Sequence, residues 1–302
     1  MRDRGFVLVN VLVIVMALST VAAELMIHAV EDVEHLALQH ARDRADTMSH
    51  AGRLLSIKLL VDDLDGPAVD HRSEGWALES YPAEVAGGTV AITVRDLEAR
   101  FNLNLLLGGS SDAPTAALER LARSRAVAPD LVQRVVDRFA AEQPSTRAIL
   151  DPAAAENFQP GDMTSSGQFT EINGLTGPDT GNFRADLSVL PRSRPVNVNT
   201  AVRDVLAAVT GLELEVIEAL VALRSSRPFE DVSEFRSAVE GLAGPLAATE
   251  LALHLLGVQS EWFEVETHTR YDGLSHRART ILHRDPETRR VTVFSSRAET
   301  TG

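Results

Sequence analysis

The first thirty residues limit what this chain can become more than any other stretch. Phe6 to Ala23 run for 18 residues without a charge. At about 1.5 Å per helical residue they reach about 27 Å, close to the thickness of a bilayer core. The segment is therefore read as a membrane-spanning helix. Arg2 and Arg4 precede it and Glu24 follows it, so the cytoplasmic bias of basic residues places Met1 inside and the bulk of the chain outside.

An ordinary secretory peptide would put its small-residue cleavage site after the apolar run, and Thr20-Val21-Ala22-Ala23 has that form. The other boundary is more informative. Arg4-Gly5-Phe6 followed at once by an apolar helix resembles the leader of type IV pilins and type II secretion pseudopilins. That resemblance implies cutting by a prepilin peptidase after Gly5 and methylation of the new terminus, Phe6. The fifth mature residue is then Asn10, where most pilins carry a glutamate that pairs with a neighbour's amine. A lone carboxylate in a bilayer is costly unless paired, so its absence suits a subunit with nothing above it. The minor pseudopilin K of type II secretion is similar to this chain in lacking that glutamate.

Past Glu24 the pattern becomes amphipathic. Met26, Ala29, Val30, Val33, Leu36 and Ala37 recur at spacings of three and four, which predicts that the helix continues beyond the membrane. Leu54, Leu55, Leu59 and Leu60 extend the apolar stripe until Gly66-Pro67 stops it. His28, His35, His40 and His50 lie along it near Glu31, Glu34, Asp43 and Asp46 without a His-x-x-x-His pair, so they read as a solvated face rather than a metal site. Glu31-Asp32 and Asp62-Asp63 read as surface pairs.

Thr89 to Arg95 is a β-branched alternation after Gly87-Gly88, and Trp262 to Arg270, Ser275 to His283 and Arg290 to Ser296 form three more, joined by Asp272-Gly273 and by Asp285-Pro286-Glu287-Thr288. They predict an antiparallel sheet packed on the first helix and split by an insertion. Within the insertion, Thr115 to Ala126 and Pro129 to Ala141 have helical spacing, and Asp151 to Pro191 reads as a long loop. Short helices are expected at Ala201 to Val209, Glu213 to Ser225, Val232 to Val239 and Pro245 to Leu256, the first capped by Asn199 or Thr200.

Two phrases carry a wider resemblance. Arg100-Phe101-Asn102-Leu103-Asn104 is similar to a signature of the K pseudopilins. Asn197-Val198-Asn199-Thr200-Ala201, followed by Ala219 to Arg224 and Pro228-Phe229, resembles both that family and the helix-hairpin-helix of competence-type DNA receptors. Charge separates the two. The chain carries 29 Lys and Arg against 43 Asp and Glu, net −14, and Pro195 to Val258 holds 4 Arg against 9 acidic residues. The hairpin Gly211-Leu212-Glu213-Leu214-Glu215 lacks a second glycine and puts two carboxylates where a phosphate would approach. Nucleic acid is not the expected partner.

Cysteine is absent, which removes disulfides and thiolate metal sites. No Gly-x-Ser-x-Gly elbow, His-Glu-x-x-His run or phosphate-binding glycine loop occurs, and an enzyme is not expected. Members of the K family can bind calcium in their globular domain. Here Asp151, Glu156, Asp162, Glu171, Asp179 and Asp186 lack EF-hand spacing and read as solvated loop charges. Calcium is left without assigned ligands, and no other cofactor is expected.

The reading is thus an α+β chain: leader 1–5, membrane helix 6–23, spine 24–66, a pilin-like domain from 67–111 and 259–302, and an inserted all-α domain at 112–258. The resemblance implies a type II secretion minor pseudopilin in the inner membrane with its main domain in the periplasm. It would join minor pseudopilins I and J at a filament tip, initiate assembly and support export of folded proteins through the outer membrane. The alternatives are a membrane-anchored helix-hairpin-helix DNA receptor or a minor pilin of another type IV filament system.

Overall fold

The computed structural model describes residues 3–77, 83–85, 87–107, 111–141, 180–191 and 193–301. Helix α1, Asp3–Asp63, is one unbroken rod of 61 residues. It is used in two ways. From Val11 to Val33 every side chain is exposed, large aliphatics included, and burial begins at Ala41. The helix is long and apolar enough to cross a membrane.

Beyond that point α1 lies on an antiparallel sheet whose strands are β1 (Ala83–Val85) and β2 (Gly88–Asp96), then three strands from the chain's other end. The face α1 presents is narrow: Ala41, Ala45, Ser49, Gly52, Ser56 and Leu60 are buried. Small side chains let the helix axis come close to the strands. A Cβ on Gly52 would stand 3.1 Å from both Ile92 and Thr267, and Ser49 Oγ lies 2.5 Å from Thr267 Oγ1. The expected leucine stripe holds at Leu60, which is buried, and at Leu59, which packs against the same core, and is corrected at the other two positions. Leu54 and Leu55 are 52% and 43% exposed, because bulky side chains would push the helix off the sheet.

The chain leaves the sheet after β2 and returns to it beyond residue 260. Between come β3 (Phe101–Asn102), α2 (Ala113–Ser124), α3 (Pro129–Ala141), α4 (Gly181–Ala185), β4 (Leu187–Ser188), β5 (Val196–Asn197), α5 (Arg203–Thr210), α6 (Leu214–Ser226), α7 (Val232–Glu250) and β6 (Leu256–Gly257). Helix α7 contains a break at Gly244-Pro245, where the ring of Pro245 cannot continue the hydrogen-bond ladder. These elements share one apolar core that includes Phe101, Leu118, Leu121, Phe183, Leu206, Leu220 and Phe235.

The sheet then closes with β7 (Trp262–Tyr271), β8 (Leu274–Asp285) and β9 (Arg290–Thr301), in the order β1-β2-β7-β8-β9. Strand β2 pairs with β7 across the insertion, Val94 opposite Val265. The Asp272-Gly273 hairpin leaves Tyr271 opposite Leu274, as a two-residue turn requires. Val90, Ile92, Val94, Phe263, Val265 and Leu282 form a second core with Leu60 and Trp76. The fold is a pilin-like helix and sheet interrupted by a helical insertion, and β1 is a strand that its three residues did not signal.

Candidate functional site

Three places matter: the exposed first helix, the junction between sheet and insertion, and the hairpin between α5 and α6. Gly5, Phe6 and Asn10 lie on the backbone of α1, which runs through the Gly5-Phe6 junction without a break. His28, His35, His40 and His50 are exposed, and His28 Nδ1 stands 3.4 Å from Glu31. The solvated reading of that face fits.

The junction is built from the two phrases singled out in the sequence. Phe101 enters the helical core, while Asn102 Oδ1 accepts from Leu190 N at 3.1 Å and from Asn104 N at 3.2 Å. Asn104 Nδ2 donates to Leu190 O. Strand β3 pairs in parallel with β4. The end of the expected long loop is therefore ordered: residues 180–191 include α4 and β4, with Phe183 and Leu190 buried. Asp186 is no solvated charge either, since it is buried and accepts from Arg125 Nε at 2.6 Å. Asp151, Glu156, Asp162, Glu171 and Asp179 lie outside the described residues.

Asn197 holds the two halves together. Its Nδ2 reaches Asp70 O at 3.1 Å, Ser260 Oγ at 2.9 Å and Asp96 Oδ2 at 3.3 Å, and its Oδ1 accepts from Asn199 N at 2.9 Å. Asn199 and Phe229 exchange two bonds of 2.9 Å, side chain to backbone. Thr200 Oγ1 donates to Asp96. Neither Asn199 nor Thr200 caps α5, whose N-cap position is Val202 without a side-chain bond. Both are consumed by the buried network, which is worth more than an exposed cap because an unsatisfied buried polar group is costly.

Around Asn197 sit carboxylates that the sequence reading missed. Asp96 continues the inward series Val90, Ile92, Val94 and accepts from Ser260 Oγ at 2.7 Å and Glu98 N at 2.7 Å. Burial pushes its pKa up to about 6. Burial pushes Glu98 up to about 8, although Arg194 approaches at 3.3 Å and Glu261 N donates at 2.7 Å. Burial also lifts Glu74 to about 7; it accepts from His71 N at 2.9 Å and Trp76 Nε1 at 2.8 Å.

One cation anchors this region. Arg284, fully inside, bonds Asp70, Asp63 Oδ2 at 2.5 Å and Ser260 O at 2.7 Å, and lies 4.7 Å above the Phe263 ring. Asp63 is therefore not a plain surface charge of α1. It ties the helix end to β8. Asp63, Asp70 and Glu74 have oxygens within 4.8 Å of one another, yet two of these carboxylates face the Arg284 guanidinium and the third faces N–H donors. This set does not fit a calcium ion. A carboxylate at an inward strand position, as at Asp96, was the readable signal; Arg284 had none.

The hairpin between α5 and α6 answers the DNA alternative. Gly211 has φ +72, and a Cβ there would stand 3.6 Å from Arg120 Cζ. Arg120 of α2 donates through Nε to Ala208 O at 2.7 Å. Arg120 thus packs beside Gly211 and is spent on the end of α5, while Glu213 and Glu215 put two carboxylates at the hairpin. The DNA receptor reading is not favoured.

The comparisons agree with this geometry. The family model described as type II secretion system (T2SS), protein K, matches residues 196–255, from the Asn197 strand through the helical core. Type II secretion system protein K of Pseudomonas aeruginosa is 27% identical, covering 77% of this chain and 76% of that protein. The protein of the same name from Klebsiella pneumoniae is 25% identical, covering 95% and 94%. Among solved structures, a chain of the crystal structure of the GspK-GspI-GspJ complex from the enterotoxigenic Escherichia coli type 2 secretion system matches with a TM-score of 0.66. That match is 18% identical and covers 88% of this chain and 99% of the other, a likeness of fold. On these grounds the chain is similar in sequence to type II secretion system protein K of two organisms, and its fold matches that of the solved relative.

Proposed function

We propose that this chain is a minor pseudopilin of type II secretion, anchored in the inner membrane by α1 with its folded body in the periplasm. It would sit at the filament tip with minor pseudopilins I and J, initiate assembly and support export of folded proteins. The observation that carries the reading is the divided use of α1: its second half is clamped to the sheet, while its first half exposes a continuous apolar surface. Such a surface needs lipid before assembly and neighbouring helices after it. The relative of matching fold is solved in a complex with GspI and GspJ, which supports those partners.

Maturation follows the same reading. The prepilin peptidase cuts after Gly5, Phe6 is N-methylated, and Asn10 leaves no carboxylate for a subunit above. Intact mass of the membrane form tests this: a terminus at Met1, or after Ala23, overturns it. Co-expression with I and J tests the partners, and the reading predicts co-purification of all three. The remaining reading is a minor pilin of another type IV filament system. Complex formation with major pilins of such a system, in place of I and J, would support it.

A further inference from the structure

Two features beside the junction network meet at one place. A cleft of about 600 Å³ opens between β2 and the start of α5. Val94, Ala99 and Val202 give it apolar lining, and Arg72, Arg95 and Arg100 stand along it. The second feature is the sheet face turned away from α1. There Glu264 is shared by Arg95 at 3.8 Å, Arg100 at 3.4 Å and Arg279 at 3.6 Å, and Glu266 by Arg95 at 2.8 Å and Arg277 at 3.4 Å. Four arginines share two carboxylates, so this face keeps a surplus of two positive charges, and Arg72 adds another across the cleft.

Among the described residues the surplus is not cancelled locally. Of the carboxylates lining the cleft, Asp96 is buried beneath Thr200, Ser260 and Asn197, and Asp186 is held by Arg125. On β9, Arg297 stands opposite Arg279 and Glu299 opposite Arg277, which offset each other. Donors also remain. Among the described residues, Arg95 bonds Glu266 through Nη1 alone, Arg100 bonds Glu264 through Nη2 alone, and Arg72 spends Nε and Nη2 on Thr200 O.

We infer that the cleft and the arginine face beside it receive an acidic peptide segment of another protein chain, with an apolar side chain seated against Val94, Ala99 and Val202. The guanidinium fork matches a carboxylate through two parallel bonds, and an ammonium would not. A pocket of this size with apolar walls and a few placed charges suits one or two side chains rather than a flat surface. Nucleic acid is the weaker occupant, because a phosphate every few ångströms would extend far beyond the local surplus and meet a chain of net charge −14. The inference does not depend on the filament reading and is tested apart from I and J.

The test uses the full chain in uncharged detergent micelles and fluorescence anisotropy with three labelled probes. These are a decapeptide alternating glutamate with valine, its lysine counterpart, and a single-stranded oligothymidylate of equal charge. The expected result is saturable binding of the glutamate peptide alone, weakened severalfold by high salt. Affinity should fall about tenfold or more in the Arg95→Ala/Arg100→Ala double variant, since each charge-assisted pair contributes on the order of 1.4 kcal/mol or more. Val202→Glu adds a carboxylate at the mouth without removing an ion pair, and should weaken binding to a similar degree. It decides the matter if the double variant fails to fold. Absence of saturable binding, equal binding of the lysine peptide or the oligonucleotide, or full affinity in Val202→Glu overturns the inference.

Discussion

The two halves of α1 use opposite chemistry on one continuous helix. The first half carries Val, Leu, Ile and Met with no described residue burying them, and the second half buries a mostly small-residue face of Ala, Ser and Gly, joined by Met48 and Leu60, while leaving Leu54 and Leu55 outside. On this helix, therefore, exposed apolar bulk dominates the first half, and small residues dominate the face that lies on the sheet. Within the fold, closeness of approach decides which residues are buried, because a strand surface tolerates a helix only at the distance its side chains permit.

The comparison breaks most severely at the clamp holding the second half. Arg284→Ala strands Asp70 and Asp63 without their cation, and we expect a loss of about 3–5 kcal/mol, measured as a lowered urea midpoint of the micelle-bound chain. Replacement by Met should cost the same if the charge is what matters. A midpoint unchanged in both variants would refute the clamp.

Gly52→Val forces a branched side chain into the 3.1 Å gaps to Ile92 and Thr267. Overpacking of this kind costs about 1–3 kcal/mol, again read from the urea midpoint. An equally stable variant would mean that α1 can lift from the sheet at little cost.

Proton linkage sharpens the contrast further. Asp96, Glu74 and Glu98 have folded pKa values of about 6, about 7 and about 8, raised by burial from 3.8 for Asp96 and 4.5 for the glutamates. The folded state therefore holds protons that the unfolded chain releases. Stability is greatest below the unfolded values and declines as pH rises through them toward the folded ones. Denaturation series at pH 5 and pH 8 should show the protein weaker at the higher pH, and Glu98→Gln should flatten that slope. A rise in stability over this window would contradict the burial of these groups.

The smallest effect is expected in the first half. Leu36→Ala removes a side chain that is 54% exposed and should shift the urea midpoint by less than about 0.5 kcal/mol. The same variant should weaken co-purification with partner pseudopilins, so a stable chain with weaker assembly is the outcome that separates the two halves.

Much of the architecture was readable because it rests on local periodicity. The apolar run, the strand alternations and the Asp272-Gly273 turn each declare themselves within a dozen residues. The insertion was readable because strands at both ends had to pair. The junction was legible only as phrases. Asn102, Asn104, Asn197 and Asn199 stood out by resemblance, yet their partners Leu190, Ser260 and Phe229 lie far off in sequence. The cap assigned to Asn199 or Thr200 failed for that reason: a local rule competed with a buried network that no window of sequence displays. Asp186 and Asp63 were misread similarly, since their cations, Arg125 and Arg284, come from distant elements.

By itself, the sequence determined that this chain has a long apolar first helix, a split sheet and a helical insertion, because hydrophobic period and turn chemistry act over short spans. The tertiary structure alone decided which face of α1 is buried, that Arg120 packs beside Gly211, and that Arg284 and Asn197 join the two parts. Those outcomes depend on distances of approach and on charges brought from separate segments into one desolvated place, where an unpaired group costs far more than it does in water.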